Sequence, residues 1–138
     1  MIIRTVKETD LGILAKMNSD IFGDTSEKQA LEVFRDAIEN GIPDACLVAE
    51  ENEILGAVFV EEKLTFTENA AGIKSIFVKK GWQGKGIGKM LLEGCLSVLK
   101  EKGYKTVSLS VEQNNENAVS LYENLDFRPF RVLYLKEL

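Results

Sequence analysis

Three glycines, Gly84, Gly86 and Gly88, stand between an apolar run at 73–78 and an amphipathic stretch that starts at Ile87. This junction constrains the fold more than any other feature. The run Ile73-Lys74-Ser75-Ile76-Phe77-Val78 has the length and content of a strand. From Ile87, residues Leu91, Cys95 and Val98 fall on one helical face, joined by Met90 and Leu99, while Lys89, Glu93 and Lys100 point elsewhere. Gly103 closes that helix, and residues 105–111 alternate, with Val107, Leu109 and Val111 on one side. Strand, glycine loop, helix and strand in this order make a right-handed crossover between parallel strands.

The flanking segments complete a mixed α/β order, β-α-α-β-β-β-α-β-α-β. Residues 1–7 alternate as a first strand. Asp10 is placed to cap a helix carrying Leu11, Leu14, Ala15 and Met17, which Phe22-Gly23-Asp24 breaks. A second helix starts near Ser26, with Ala30, Leu31, Phe34 and Ile38 at helical spacing; Gly41 suits a left-handed C-cap and Pro43 cannot continue. The runs 45–50 and 54–60, joined by Glu51-Asn52-Glu53, read as a hairpin, and a polar stretch follows from 61 to 69. A helix is expected over 115–124, with Ala118, Leu121, Tyr122 and Leu125 on one stripe. Residues 127–138 are strand-like, with Pro129 marking an edge or a bend.

The 138 residues suffice for one domain with a sizeable core. No apolar run is long enough to span a bilayer, and residues 1–7 do not resemble a signal peptide, so a soluble, cytoplasmic protein without membrane partners is expected. The chain has no histidine, which excludes histidine-dependent nucleophiles and a histidine metal site; no metal is expected. Cys46 and Cys95 sit in apolar patterns and read as small buried hydrophobes. A net charge of −5 makes a poor nucleic-acid binder. Yet Lys79, Lys80, Lys85 and Lys89 crowd together with no acid between them, the mark of either a solvated helix entrance or a site for a small polyanion.

The loop favours the polyanion. The first turn of a helix carries N–H groups without intrahelical partners and a partial positive charge. A loop without Cβ atoms lets a phosphate come close to them. The P-loop pattern fails, because Met90 follows Gly88-Lys89 and Gln83 stands where its first glycine belongs. The dinucleotide fingerprint fails too, because Gly84-x-Gly86 leads to Lys89 and Gly86-x-Gly88 leads to Leu91. A third design fits. Gln83-x-x-Gly86-x-Gly88, after a strand and before an amphipathic helix, resembles the coenzyme A signature of the GNAT superfamily of N-acetyltransferases. The later segment Asn115-Glu116-Asn117-Ala118-Val119-Ser120-Leu121-Tyr122, followed by Leu125-Asp126-Phe127, resembles the family's second motif, with one strand between the two.

The resemblance covers nearly the whole chain. It implies a single acyl-CoA N-acyltransferase (GNAT) domain over 1–138, an α/β (α+β) fold with a mixed central sheet flanked by helices. It also implies acetyl-CoA as co-substrate and an amine acceptor, either a small molecule or a protein or peptide N-terminus. A homodimer is an open expectation. By the same resemblance, backbone groups of Ile76, Phe77 and Val78 pair with the pantetheine arm, and an N–H there, at Val78, polarises the thioester carbonyl. The segment Gln83, Gly84, Lys85, Gly86, Ile87, Gly88, with Lys89 beside it, takes the diphosphate. Asn115 matches a cofactor-contacting asparagine and equally suits a helix cap. Tyr122 matches the general acid that protonates the departing thiolate, and it also lies on the apolar stripe of its helix.

Two positions depart from the family pattern. Asp126 replaces the usual glycine, and aspartate tolerates such turns. No obvious general base stands on the fourth or fifth strand, where Lys74, Ser75, Ser108 and Ser110 occur. Glu112 is the candidate if the strand continues past Ser110, and a water chain is the alternative. Asp20, Asp24 and Glu27 either draw a cationic acceptor or are ordinary surface charges. Besides an enzyme, the sequence admits an acyl-CoA sensor that has kept the cofactor site and lost catalysis.

Overall fold

The computed structural model describes residues 1–63 and 68–138. The polar stretch expected over 61–69 lies partly outside the described residues. Five strands form one sheet in the order β1-β2-β3-β4-β5: β1 (Ile2–Thr5), β2 (Leu47–Glu51), β3 (Glu53–Glu62), β4 (Ala70–Val78) and β5 (Thr106–Ser108). The first four are antiparallel neighbours, and β5 joins β4 in parallel. The helices are α1 (Leu11–Phe22), α2 (Glu27–Asn40), α3 (Ile87–Glu101) and α4 (Glu116–Asn124).

The sheet is apolar on both faces, so its central strands read as nearly continuous hydrophobic runs. On one face α1 and α2 bury Leu14, Ala30 and Phe34 against Val48, Ala57, Phe59 and Phe77. The Phe34 and Phe59 rings stack with centroids 4.0 Å apart. On the other face α3 buries Ile87, Leu91, Leu92, Cys95 and Leu99 against Leu55, Val58 and Val60. Met90, expected on that stripe, is 41% exposed, and Leu92 occupies the buried face instead. None of the described helices is long and apolar enough to cross a membrane.

Local signals fix several boundaries. Ser26 caps α2: its Oγ accepts from the Gln29 N–H at 3.1 Å, and Gln29 Oε1 accepts from the Ser26 N–H at 3.2 Å. Gly103 (φ 89°) ends α3 with the paired hydrogen bonds of a Schellman turn, Tyr104 N–H to Leu99 O and Gly103 N–H to Lys100 O. Gly41 is not left-handed; its φ is −102°. Glycine is needed there for space, because a Cβ would lie 2.5 Å from the Ala37 carbonyl oxygen and 3.0 Å from that of Val60.

Asp10 does not cap α1 through its side chain. Instead it accepts from the Lys7 N–H at 2.7 Å and from both terminal nitrogens of Arg4 at 2.8 and 3.0 Å. A bidentate guanidinium is a stronger partner than a helix N–H, and it draws the carboxylate to β1. The Arg4 hydrogen bonds hold the Asp10 carboxyl below the usual carboxylate range, against the opposing effect of burial. With the folded value lowered, this pair stabilises the fold above the unfolded pKa and loses its effect as pH falls through the folded one. Asp10→Ala is expected to lower unfolding free energy by about 2–3 kcal/mol at pH 7, with the difference shrinking below roughly pH 4. Urea melts at the two pH values check this.

The two segments expected to be strands after α3 differ from the pattern. β5 spans only Thr106–Ser108, not 105–111. The segment 127–138 forms no strand and is largely exposed. A strand needs a neighbour to take its N–H and C=O groups, whatever its side chains favour.

Candidate active site

β4 is longer than its partner on the β5 side. Only Ala70, Ala71 and Gly72 pair with Thr106, Val107 and Ser108. Before Ser75 the register with β3 slips by one: Phe59 faces Ser75 but Val60 faces Ile73. The extra residue, Lys74, is a bulge, and a bulge bends its strand and raises the local twist. From residue 73 to 78, β4 stays paired with β3 and has no strand on its β5 side among the described residues. The Lys79 N–H donates to Leu55 O at 2.8 Å across the β3 side. Strand alternation then turns the backbone groups of Phe77 toward β3 and those of Ile76 and Val78 toward the open edge. The Phe77 side chain is buried in the α1–α2 core, 5.7 Å from the Phe34 ring. Gln83 Nε2 donates to the outward Val78 carbonyl at 3.0 Å, which ties the glycine loop to the end of the strand.

The loop turns on left-handed glycines: φ is 77° at Gly84 and 83° at Gly86, the N-cap of α3. A Cβ at either would meet nothing within 4 Å, so the space before the loop is open. The first intrahelical bond is Met90 N–H to Gly86 O at 3.1 Å, which leaves the N–H groups of Ile87, Gly88 and Lys89 without helical acceptors. Ile87 is buried and anchors the turn, while Lys85 and Lys89 are exposed at its rim. Lys85 lies over the Trp82 ring, 5.4 Å from its centroid. Lys79 pairs with Glu53, so the cationic cluster narrows to Lys80, Lys85 and Lys89. Free N–H groups, open glycines and three cations fit a diphosphate, and the unpaired strand edge fits an extended amide-bearing arm.

α4 closes the other side. Leu121 Cδ2 lies 3.8 Å from the place a Cβ would take on Gly88, as does Val78 Cγ2. Tyr122, next in sequence, is half-buried, packs edge-on against Phe127 with centroids 5.9 Å apart, and has its pKa pushed up by burial. Asn115 caps α4, its Oδ1 accepting from the Ala118 N–H at 3.2 Å. Glu112 lies past the end of β5 in an irregular, exposed segment. The strand continuation that put it on the Ser110 face is absent.

On the α1–α2 side a cleft of about 390 Å³ borders β4 at Lys74 and Ser75, directly before Ile76. Its lining includes Asn18, Phe22, Asp24 and Val33. Asn18 is only 6% exposed, and its Nδ2 donates to Ser75 Oγ at 3.4 Å. The sequence reading missed Asn18. Its signal was a polar residue in register with Leu11 and Leu14 on the buried face of α1. Lys74 is held by Glu61 at 2.9 Å. A larger cleft, about 660 Å³, opens at the opposite end of β4 around Ala70, Lys102 and Tyr104, away from the loop. Burial pushes the Cys46 thiol up to about 11 and the Cys95 thiol to about 12, so both stay protonated and unreactive near neutral pH.

Residues 13–127 match the acetyltransferase (GNAT) family. N-alpha-acetyltransferase 30 of Schizosaccharomyces pombe is 31% identical over 113 residues, which cover 80% of this chain and 75% of that protein. Thialysine N-epsilon-acetyltransferase of Sus scrofa is 27% identical over 143 residues, 93% of this chain and 84% of that one. The fold also superposes on AAC(6')-Iy, solved in complex with the bisubstrate analogue CoA-S-monomethyl-acetylneamine. The TM-score is 0.81 at 14% identity, over 99% of this chain and 97% of that one. An open β4 edge, a glycine loop at a helix start and a match over most of the chain lead to one conclusion: the chain belongs to the acetyltransferase (GNAT) family and is an acetyl-CoA-dependent N-acetyltransferase.

Proposed function

We propose that the chain acetylates a primary amine by direct attack in a ternary complex, and that its preferred acceptor is an α-amine or another amine of modest basicity. The observation that carries this reading is the position of the Asn18–Ser75 cleft. It meets the open edge of β4 from the face opposite α3, so an amine and an extended cofactor arm can approach the same stretch of backbone. When bound, acetyl-CoA supplies a thioester that reacts with the amine and a thiol that departs. In this reading the outward N–H of Ile76 or Val78 holds the carbonyl oxygen. In this reading Tyr122 donates a proton or a hydrogen bond to the leaving sulfur.

Basicity decides the acceptor. At pH 7.4 a lysine amine near pKa ~10.4 costs about 4 kcal/mol to deprotonate, whereas an α-amine near ~8 costs under roughly 1. The cleft offers one carboxylate among its described residues, Asp24, which is exposed and bonded to Thr25. Asp24 suits attraction of a cation more than proton removal, and Glu112 lies on the exposed segment after β5. A water chain past Ser75 and Asn18 is then the route for the proton. Two free, buried cysteines also suit a reducing, cytoplasmic setting.

A panel of N-terminal peptides, small amines and lysine peptides, read by release of free thiol, tests the proposal. The expected result is kcat/KM at least 10-fold higher for α-amines. Cofactor binding without turnover on any acceptor would instead support an acyl-CoA sensor, the reading favoured by the lack of a base. Asn18→Leu is expected to raise KM for the amine about 3- to 10-fold, the effect of one hydrogen bond, with acetyl-CoA affinity unchanged. Initial-rate kinetics with each substrate varied in turn check it.

A further inference from the structure

The bulge in β4 also decides what lines the acceptor cleft. Ile73 and Ile76 both pack against the core on the α3 side. In a regular strand they would face opposite sides, because only alternate residues share a face. The two residues between them, Lys74 and Ser75, therefore both turn to the α1–α2 side. Both line the cleft of about 390 Å³ there.

Among the described residues that line it, Lys74 and Asp24 carry charge. Asp24 is exposed in the turn between α1 and α2. Lys74 stands on the strand itself, its side chain 36% exposed and its Nζ 2.9 Å from a carboxylate oxygen of Glu61. Glu61 lies on β3 opposite Gly72 and does not line the cleft. On β3, Phe59 points into the α1–α2 core and Val60 into the other, so Glu61 returns to the side of Lys74.

This ion pair is made to yield. A pair so open to solvent contributes little to stability. An ammonium has three donors, so Lys74 takes a second carboxylate while keeping Glu61, or exchanges one for the other. The strand sets the distance. Lys74 stands two residues before Ile76, roughly 6–7 Å along β4. An amine that reacts at the open edge from Ile76 to Val78 thus has a cation about one residue's length away. A second positive group in that place would face the ammonium of Lys74, and like charges placed together are disfavoured. A negative group would meet a ready donor. The reacting amine supplies the positive charge that Asp24 draws.

We infer that Lys74 is a specificity residue, and that the acceptor carries a carboxylate about one residue's length from its α-amine. The carboxylate comes either from an acidic side chain near a peptide N-terminus or from a small acidic amino acid. This assignment rests on the acceptor cleft and the amine class proposed for the chain. Glu61 holds the place of that carboxylate in the free protein.

Initial-rate kinetics on matched acceptors test it. One pair is a short peptide with glutamate or glutamine as residue two, and the other is free aspartate or asparagine. KM is expected about 10-fold lower for the acid than for its amide in at least one pair, with kcat within about twofold, because the contact is the same in ground and transition states. A preference in the peptides alone marks a chain N-terminus as the acceptor, and one in the free acids alone marks a small molecule. Lys74→Met should bring the ratio to about 1, and Lys74→Glu should invert it in favour of lysine as residue two. Glu61→Gln removes the competing carboxylate and should widen the ratio about two- to threefold. Lys100→Met, exposed on α3 across the sheet, should leave the ratio as it is. Turnover of α-amines with no preference for the acid, or a preference that survives Lys74→Met, would overturn the inference alone. So would a Lys74→Met variant that loses rate equally on both members of a pair, the mark of a structural role. Turnover of no α-amine at all would overturn the acceptor reading, and the inference with it.

Discussion

Tyr122→Phe is expected to lower kcat about 10²- to 10³-fold while coenzyme A affinity changes less than about threefold, because the role proposed for it, general acid, acts only as charge develops on sulfur. The ring survives the substitution, and so does its edge contact with Phe127; only the hydroxyl is lost. Proton transfer from a tyrosine near ~10 to a thiol near ~8.5 is uphill by roughly 2 kcal/mol, and burial raises the Tyr122 pKa further. The hydroxyl therefore donates late, as a hydrogen bond that strengthens through the transition state. The sign for pH follows. The working form is the protonated one, and its raised pKa keeps it populated beyond ordinary assay pH. The rate should rise with pH as the amine deprotonates and show no descending limb up to about pH 10. A wild-type rate that falls between about pH 8 and 9, or a phenylalanine variant with full kcat, removes Tyr122 from the mechanism. Steady-state kinetics across pH, with calorimetry for cofactor binding, separate these outcomes.

Gly86→Val should weaken coenzyme A binding by roughly 100-fold or more. Gly86 holds φ 83° at the N-cap of α3. An L-residue in that region costs about 1–2 kcal/mol, and a β-branched one more. The new side chain meets no protein atom within 4 Å. It points instead into the open space where the diphosphate must approach the N–H groups of 87–89. The strain should lower the melting temperature by several degrees, about 2–4 °C per kcal/mol for a domain near this size. Gly12→Ala is the matched control. Gly12 lies in α1 with nothing within 4 Å of its would-be Cβ and no positive φ. That change should stabilise the protein by about 0.5–1 kcal/mol and leave binding alone. Thermal melts and calorimetry on the pair distinguish a blocked site from a loosened fold.

What the sequence disclosed and what it withheld divide along physical lines. Local chemistry was legible. Ser26 with Gln29 marks a helix start, Gly103 a helix end, and the glycines at 84 and 86 a turn that only they adopt cheaply. The two-faced sheet was legible too, because β3 is apolar at nearly every position. Choices made by tertiary partners were not. Asp10 looks like a cap and is drawn away by Arg4. Gly41 looks like a left-handed stop and is instead a close approach to two carbonyls. The bulge at Lys74, which leaves the edge of β4 open, has no signature in a run of mixed residues. Residues 127–138 have strand chemistry, but among the described residues no strand pairs with them, so pattern and structure part there. For the site, the loop and Tyr122 came from motifs, whereas the Asn18–Ser75 cleft required α1 and β4 to be brought together. Glu112 rested on a strand that stops at Ser108.

The central claim is that the open edge of β4 and the glycine loop act together, one on the arm of the cofactor and the other on its phosphates. Calorimetric titration of coenzyme A, ATP and NAD into the same protein tests it most directly. The account predicts one coenzyme A per chain and at least about 10-fold weaker binding of ATP and NAD, which carry phosphates but no pantetheine arm; tenfold is about 1.4 kcal/mol. Coenzyme A bound no more tightly than ATP would contradict it, because the loop would then be a phosphate site and the strand edge would contribute nothing.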